Sequence, residues 1–127
     1  MFNDATMLTV LHAKDIERLK TFLQQKLGLE PVDEQMGMYF YEVGGGKLFI
    51  YESSFAGSNQ ATAVCFDVPD VEATAQELKS KGVEFEHYDM PGVSLVGDVH
   101  VMEGMGVKSA WLKDTEGNIY NINQMNN

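Results

Sequence analysis

The sequence predicts an α+β fold, in which two βαβββ modules form a curved mixed sheet around a cup. Three observations support this: two amphipathic helical segments, short apolar runs on both sides of each, and a repeat that places Asp15 and Asp70 55 positions apart. The 127-residue chain is long enough to bury one core. We therefore expect a single domain over residues 1–127, with modules at about 1–57 and 58–127.

The first module has the order strand, helix and three strands. Residues 7–12 are apolar and β-branched, which is typical of a strand. Apolar side chains at helical spacing then predict a helix over residues 15–27, which Asp15 can cap and Gly28 can end. Three further extended or strand-like runs follow, at residues 29–32, 38–43 and 47–52.

The second module repeats this order. Residues 62–68 predict a strand, and the helix that follows begins at Asp70 and ends at Gly82. The remaining extended runs are residues 83–86, 108–113 and 118–123. Residues 87–106 break the symmetry, because Pro91 and four glycines predict an inserted loop. Such a loop either covers the mouth of the cup or is a mobile surface segment.

Composition excludes several classes of partner. Nineteen acidic residues against nine basic ones give a formal charge of −10, which repels phosphate backbones and anionic lipid. We therefore expect neither a nucleic acid nor a membrane partner. The first residues lack the basic and apolar regions of a signal peptide, and a single cysteine, Cys65, excludes an internal disulfide. These features favour a cytoplasmic location.

Three motifs occur in order along the chain. They are KDIERLKTFLQQKLGLEP (14–31), DVPDVEATAQELKSKGVEFE (67–86) and AWLKDTEGNIYNINQ (110–124). The ordered set resembles the vicinal oxygen chelate superfamily of glyoxalases, bleomycin resistance proteins and extradiol dioxygenases. The resemblance implies the paired βαβββ fold and a homodimer. In metal-dependent members it also implies a divalent ion held by one ligand from each of four strands, commonly two His and two Glu.

The chain departs from this pattern at the ligand positions. The resemblance places those positions at Leu8, Ile50, Ala63 and Asn121. Aliphatic side chains cannot ligate, and a lone amide is a poor ligand for a transition metal. We therefore expect no metal site of the usual kind and no cofactor. His12 and Glu52 are secondary candidates for a general base or for a two-ligand remnant of the metal site. In the alternative, which we favour, His12 is a histidine at the rim of the cup and Glu52 is a solvated glutamate.

The predicted cup has an apolar middle and polar rims, which suits an organic ligand held by shape and a few hydrogen bonds. The expected lining residues are Leu8, Val10, Tyr39, Tyr41, Ile50, Tyr51, Ala63, Trp111 and Asn121. Trp111 is the best candidate for a ligand wall, although core packing is the alternative for each aromatic residue. Cys65 is interpreted as a small core residue, and His87 and His100 as exposed loop residues.

The leading functional hypothesis is a protein that binds a small, largely apolar or aromatic molecule without a metal. The alternative is a metal-dependent lyase, isomerase or dioxygenase of the glyoxalase type, so whether the chain is an enzyme stays open. A third hypothesis is an interaction module whose cup is filled by its own side chains, because Leu8, Val10 and Ile50 are apolar.

Overall fold

The computed structural model describes residues 1–125, which form two β-sheets and two α-helices. The elements of the first module are β1 (Thr9–Ala13), α1 (Ile16–Leu27), β2 (Asp33–Gln35), β3 (Met38–Val43) and β4 (Gly46–Glu52). Those of the second are β5 (Thr62–Asp67), α2 (Val71–Ser80), β6 (Phe85–Glu86), β7 (Val93–Val96), β8 (Val99–Met102), β9 (Val107–Lys113) and β10 (Ile119–Met125). A single 3-10 turn, Phe2–Asp4, precedes β1. No helix within residues 1–125 is long and apolar enough to cross a membrane.

The two sheets have the same internal order. The first runs β1-β4-β3-β2 and the second β5-β10-β9-β8-β7, with the short β6 also paired to β9. In each, the strand before the helix pairs in parallel with the last strand of the module, β1 with β4 and β5 with β10. The other pairings are antiparallel. This arrangement confirms the predicted α+β fold of two βαβββ modules.

Both helices begin where local capping chemistry predicts. The Asp15 carboxylate accepts the backbone N–H of Arg18 at 3.1 Å, and Asp70 accepts that of Ala73 at 3.0 Å. Gly28 ends α1 in the left-handed conformation, with φ at 69°. These contacts satisfy backbone donors that a helix start leaves without a partner, so the two helix starts are determined largely by adjacent residues.

The helix-facing sides of the two sheets share one core. Tyr41 of β3 and Tyr120 of β10 belong to the same buried cluster, although they come from different sheets. Phe22 of α1 packs against Tyr120 with 6.2 Å between ring centroids, so the first module's helix contacts the second module's sheet. The opposite side of each sheet, here called its outer face, points away from this core and is the surface predicted to line the cup.

The outer faces follow from strand register. On the first sheet, Val10 pairs with Phe49, His12 with Tyr51, and Phe40 with Phe49. The first outer face therefore comprises Val10, His12, Phe40, Phe49 and Tyr51. On the second sheet, Asn121 pairs with both Trp111 and Cys65, and Asn123 lies two residues further along β10. The second outer face comprises Cys65, Trp111, Asn121 and Asn123.

The turn between β9 and β10 links the second module to the first through hydrogen bonds. The Glu116 carboxylate accepts the backbone N–H groups of Lys14 and Asp15 at 2.9 and 3.0 Å, and the Nε–H of Arg18 at 2.6 Å. A Cβ at Gly57 would lie 2.6 Å from the Glu116 carbonyl oxygen, and the φ of Gly57 is +78°. Only glycine fits that position without strain, so the linker packs closely against the turn.

Residues 87–106 contain more regular structure than the sequence predicts. Instead of a loop throughout, they include the antiparallel hairpin of β7 and β8, and β8 continues onto β9. Gly92, Gly97, Gly104 and Gly106 all have positive φ and lie in the turns around these strands. The glycines that suggested a continuous loop therefore mark the ends of two short strands.

Candidate functional site

Aromatic side chains cover the outer face of the first sheet. His12 Nε2 and the Tyr51 hydroxyl are 3.0 Å apart, and their rings meet edge to face at 4.7 Å. Phe49 stacks between Tyr51 and Phe40, with centroids 6.1 and 5.4 Å away. All four residues are half-buried. The face therefore presents a flat apolar wall with one hydrogen-bonded polar pair at its β1 edge.

Trp111 forms a second wall on the outer face of the second sheet. Its indole N–H donates to the Thr62 hydroxyl at 3.2 Å, across the intervening strand β10. Its ring meets His100 at 4.8 Å and Tyr88 at 5.5 Å, both close to perpendicular. These contacts hold the indole in one orientation while leaving it half-exposed. Trp111 therefore presents a half-exposed indole on the outer face of the second sheet.

Polar side chains lie beside Trp111 in two pairs. The Cys65 thiol donates to the Asn121 side-chain oxygen at 3.1 Å. The Ser109 hydroxyl donates to the Asn123 side-chain oxygen at 2.7 Å. Partial burial and the nearby Asp67 carboxylate raise the pKa of the Cys65 thiol. A thiol with a raised pKa is mostly protonated at neutral pH and is a poor nucleophile. Cys65 is exposed on the outer face, however, so its interpretation as a small core residue is wrong.

His100 is the residue that the sequence interpretation placed wrongly. It lies in β8, not in an exposed loop, and its side chain is fully buried. The Tyr88 backbone N–H donates to Nε2 at 2.9 Å, which leaves the hydrogen on Nδ1, 3.3 Å from the Ser109 carbonyl oxygen. Burial lowers the pKa of His100, so a neutral imidazole supports the edge of Trp111. His87 is exposed as expected and pairs with Asp98 at 2.7 Å.

A groove of about 320 Å³ lies where β1 of the first sheet approaches β5 of the second. Its lining residues are Val10, His12, Phe55, Thr62, Ala63 and Asn118, together with linker residues 57–59 and 61. Phe55 is 78% exposed at the rim. The groove therefore connects the first outer face, through Val10 and His12, to Thr62, which carries the hydrogen bond from Trp111.

Several predicted lining residues lie near these surfaces. Val10 and Ala63 line the groove, Tyr51 is on the first outer face, and Trp111 and Asn121 are on the second. Asn121 is buried, and its amide also donates to the Ala110 carbonyl oxygen at 3.4 Å. Leu8 lies one residue before β1 and is half-buried.

Three predicted lining residues lie in the core instead. Ile50 is fully buried and pairs with Leu11 on the helix-facing side, so its predicted face is wrong by one residue. Tyr41 is 2% exposed, and burial raises its pKa to about 12. Tyr39 is also buried; a hydrogen bond from its hydroxyl to the Glu17 carboxylate, 2.6 Å long, is the main cause that raises its pKa to about 12.

His12 and Glu52 do not form a pair. His12 is opposite Tyr51 in the β1–β4 register, whereas Glu52 is opposite Ala13, one residue further along. Successive strand residues point to opposite faces, so the two side chains lie on different sides of the first sheet. Glu52 is exposed, as a solvated glutamate would be, and the interpretation as a joint base or joint metal remnant is wrong.

The residues at the chelating positions do not fit a divalent ion. Leu8 and Ala63 carry no donor, and Ile50, the aliphatic residue at the third position, is fully buried in the core. The side-chain oxygen and amide of Asn121 are both engaged in hydrogen bonds. Within residues 1–125, no three His, Cys, Asp or Glu side chains converge closely enough to hold a metal ion.

Comparison with known proteins identifies the family. Solved structures with a similar fold include a glyoxalase/bleomycin resistance protein/dioxygenase from Alicyclobacillus acidocaldarius, with a TM-score of 0.74 and 16% identity over 100% of this chain and 96% of that one. A bleomycin resistance determinant encoded on the transposon Tn5 gives 0.72 and 18%, over 96% and 98%. The fosfomycin resistance protein FosX from Listeria monocytogenes gives 0.71 and 17%, over 97% and 94%.

At these identities the likeness to solved structures shows the fold alone. No curated protein sequence matches the chain. The family model that describes the Glyoxalase/Bleomycin resistance protein/Dioxygenase superfamily, however, matches residues 7–118. The chain therefore belongs to the Glyoxalase/Bleomycin resistance protein/Dioxygenase superfamily.

Proposed function

We propose that the chain binds a small, largely apolar or aromatic molecule at its outer faces without a chelated metal ion. The observation that carries this proposal is the change of residue type at the chelating positions. On the family resemblance, Leu8, Ala63 and a hydrogen-bonded Asn121 occupy positions of the usual ligands, while Tyr51 and Trp111 are each held by a hydrogen bond. A site with apolar walls and a few polar tips favours binding by shape over metal chemistry.

Specific groups are available for each part of such a ligand. Tyr51 and Trp111 offer flat apolar surfaces against which an aromatic ring can stack. The His12–Tyr51 pair and the Asn123 side chain offer polar atoms at the margins of those surfaces. A ligand with an aromatic body and one or two polar substituents would use both kinds of contact.

A second copy of the chain would complete the site. Half-buried aromatic residues, Phe40, Phe49 and Tyr51, remain on one side of the first sheet, which the chain's own core does not use. The family resemblance implies a homodimer, and a two-fold contact would place the same faces of both copies together. Enclosing the aromatic walls between two copies would remove more ligand surface from water than a single open sheet does.

The proposal is tested by titrating the purified chain with 2-naphthol as a neutral aromatic probe. Trp111 is the single tryptophan of the sequence, so its fluorescence reports on the second outer face directly. We expect saturable quenching and, by calorimetry, one probe per chain. Tyr51→Ala should weaken binding by about tenfold, because it removes a stacking surface worth on the order of 1 kcal/mol beyond its buried area.

Phe2→Ala is the matched control, because Phe2 is 80% exposed in the 3-10 turn and contributes to neither outer face. It should bind the probe like the unchanged chain. Absence of saturable binding, or equal affinity for the probe in the Tyr51→Ala variant, would contradict the proposal.

The metal-dependent alternative, a glyoxalase-type lyase, isomerase or dioxygenase, requires a set of ligands around one ion. His12 and Glu52 were the candidates that a shifted register would bring in, and they lie on opposite faces of the first sheet. Their separation removes the ligand pair on which this alternative depended.

A further inference from the structure

A second cavity lies on the helix side of the sheets, away from both outer faces. It has a volume of about 200 Å³ and is bounded by the last turns of α1 and α2. Apolar residues from both modules form its floor: Leu27, Leu29, Val43, Phe66, Val68 and Ile122. All of these except Ile122 are only half-buried, although they pack against the core. The chain's own side chains therefore leave an apolar surface uncovered between its modules.

Lysine side chains stand at the rim of this cavity. Lys26 donates from Nζ to the backbone carbonyl of Lys81, which uses one of the three donors of its ammonium group. Within residues 1–125, no carboxylate lies within ion-pair distance of Lys26. Lys81 has only a loose contact with Glu77, 3.8 Å long and between exposed side chains. The Glu77 carboxylate also lines the cavity, so two ammonium groups and one carboxylate surround its apolar floor.

We propose that this cavity binds a small monocarboxylate with a short aliphatic chain, independently of any ligand at the outer faces. The aliphatic chain would lie on the apolar floor, and the carboxylate would accept hydrogen bonds from Lys26 and Lys81 at the rim. A volume of about 200 Å³ equals that of six or seven water molecules at roughly 30 Å³ each. It therefore accommodates a chain of roughly six to eight carbon atoms with the charged group at the opening.

The complementarity is chemical as well as geometric. A carboxylate accepts charge-assisted hydrogen bonds from ammonium groups, which are stronger than bonds between neutral groups. Without such an anion, Lys26 donates to the Lys81 carbonyl oxygen and Lys81 lies near Glu77, both at the carbonyl ends of the two helices. A neutral molecule of the same length would cover the floor but leave the free donors of Lys26 unused.

The probe for this site is octanoate, added to the full-length chain and followed by ¹H–¹⁵N chemical shifts. We expect saturable shifts at Leu29, Val43 and Val68, with a dissociation constant of about 1 mM or tighter. Lys26→Gln should weaken binding by about tenfold, since it removes one charge-assisted hydrogen bond. Lys47→Gln is the matched control, because Lys47 is exposed on β4, lies outside the cavity and gives the same change of charge.

Two further measurements separate a ligand site from imperfect packing between the modules. Val68→Phe places a larger side chain in the cavity and should abolish octanoate binding while the rest of the amide spectrum stays dispersed. If that variant does not fold, Thr74→Leu at the rim of α2 serves the same purpose. Octan-1-ol, the neutral analogue, should bind at least about tenfold more weakly than octanoate.

The outcomes decide the proposal in either direction. Absence of saturable shifts at the cavity, equal binding of octanol and octanoate, or octanoate shifts confined to the outer faces would overturn it. Unchanged affinity for octanoate in Lys26→Gln would overturn it as well. Binding of 2-naphthol at the outer faces is a separate measurement, so failure of either proposal leaves the other intact.

Discussion

The Glu116→Gln substitution tests how the second module is fastened to the first. The Glu116 side chain is fully buried and accepts hydrogen bonds from the backbone of Lys14 and Asp15, from Arg18 and from the Thr115 hydroxyl. Glutamine keeps the shape of the side chain but removes the charge and one acceptor oxygen. Its amide N–H₂ would then face donors where the carboxylate accepted them.

The size of the effect follows from the pKa of this carboxyl group. Burial alone would raise the pKa of Glu116, but the hydrogen bonds and charge of Arg18 and the backbone donors outweigh it and lower the pKa from 4.5 to about 2. At about 1.4 kcal/mol per pKa unit, that difference corresponds to roughly 3 kcal/mol. Because the Arg18 side chain is 52% exposed, solvent screening reduces the expected loss to about 2 kcal/mol.

The pH dependence has a definite sign. The pKa of Glu116 is lower in the folded chain than in the unfolded chain, so its contribution to stability is fully present above pH 4.5 and is lost as the pH falls through about 2. Denaturant unfolding of the unchanged chain and of Glu116→Gln should therefore differ by about 2 kcal/mol at pH 7 and by less than about half of that at pH 3.

Glu103→Gln is the matched control, because Glu103 is exposed and lies in the loop after β8. It should change the free energy of unfolding by less than about 0.5 kcal/mol. A difference as small as this for Glu116→Gln at pH 7, or one that does not shrink at pH 3, would refute the assignment of Glu116 as the anionic link between the modules.

Three other predictions concern single side chains. Ile50→Ala should lower the free energy of unfolding by about 2–4 kcal/mol because it empties core volume, whereas Phe49→Ala on the outer face should cost less than half as much; equal losses would contradict the face assignment. Tyr41→Phe removes a buried hydroxyl that has no hydrogen-bond partner within residues 1–125, so stability should stay the same or rise by up to about 1 kcal/mol, and a clear loss would argue against this. Burial lowers the pKa of His100 below 6.5, so the stability contributed by neutral His100 is fully present above pH 6.5 and decreases as the pH falls below it. Unfolding measured between pH 7.5 and 5.5 should show this decrease, and a His100→Gln variant with the same pH dependence would exclude it.

The sequence predicted the helices well because their signals are local. Asp15 and Asp70 cap the helices with their own side chains, and Gly28 takes the left-handed conformation that ends α1. Each of these contacts joins residues close together in the sequence, so a helix start can be recognised without knowing the rest of the fold. The family motifs add the order in which the strands follow.

The face of β4 could not be predicted in the same way. Residues 48–51, Leu-Phe-Ile-Tyr, are apolar at every position, so alternation does not distinguish the core side from the outer side. The pairing of Ile50 with Leu11 decides it, and that contact joins strands 39 residues apart in the sequence. The sequence-based assignment was wrong by one residue, so it placed Ile50 on the outer face of the sheet. Glu52, two residues further along the same strand, was placed on the outer face for the same reason.

His100 shows the same limitation in a different form. Its segment is short and bounded by glycines, which is typical of a loop as well as of a tight hairpin. Pairing of β8 with β9 and the contact with Trp111 bury it, and both depend on the folded arrangement. The placement of Trp111 and Asn121 on one face was predictable, because the closing motif fixes the register of β9 and β10.

Metal content tests the central claim most directly. The full-length chain would be produced in medium supplemented with nickel, zinc, iron and manganese, purified without chelators, and analysed by inductively coupled plasma mass spectrometry. Because Leu8, Ala63 and Asn121 offer no set of ligands, we expect far less than one ion of any of these metals per chain. One tightly held ion per chain, retained through dialysis and lost on unfolding, would contradict the account.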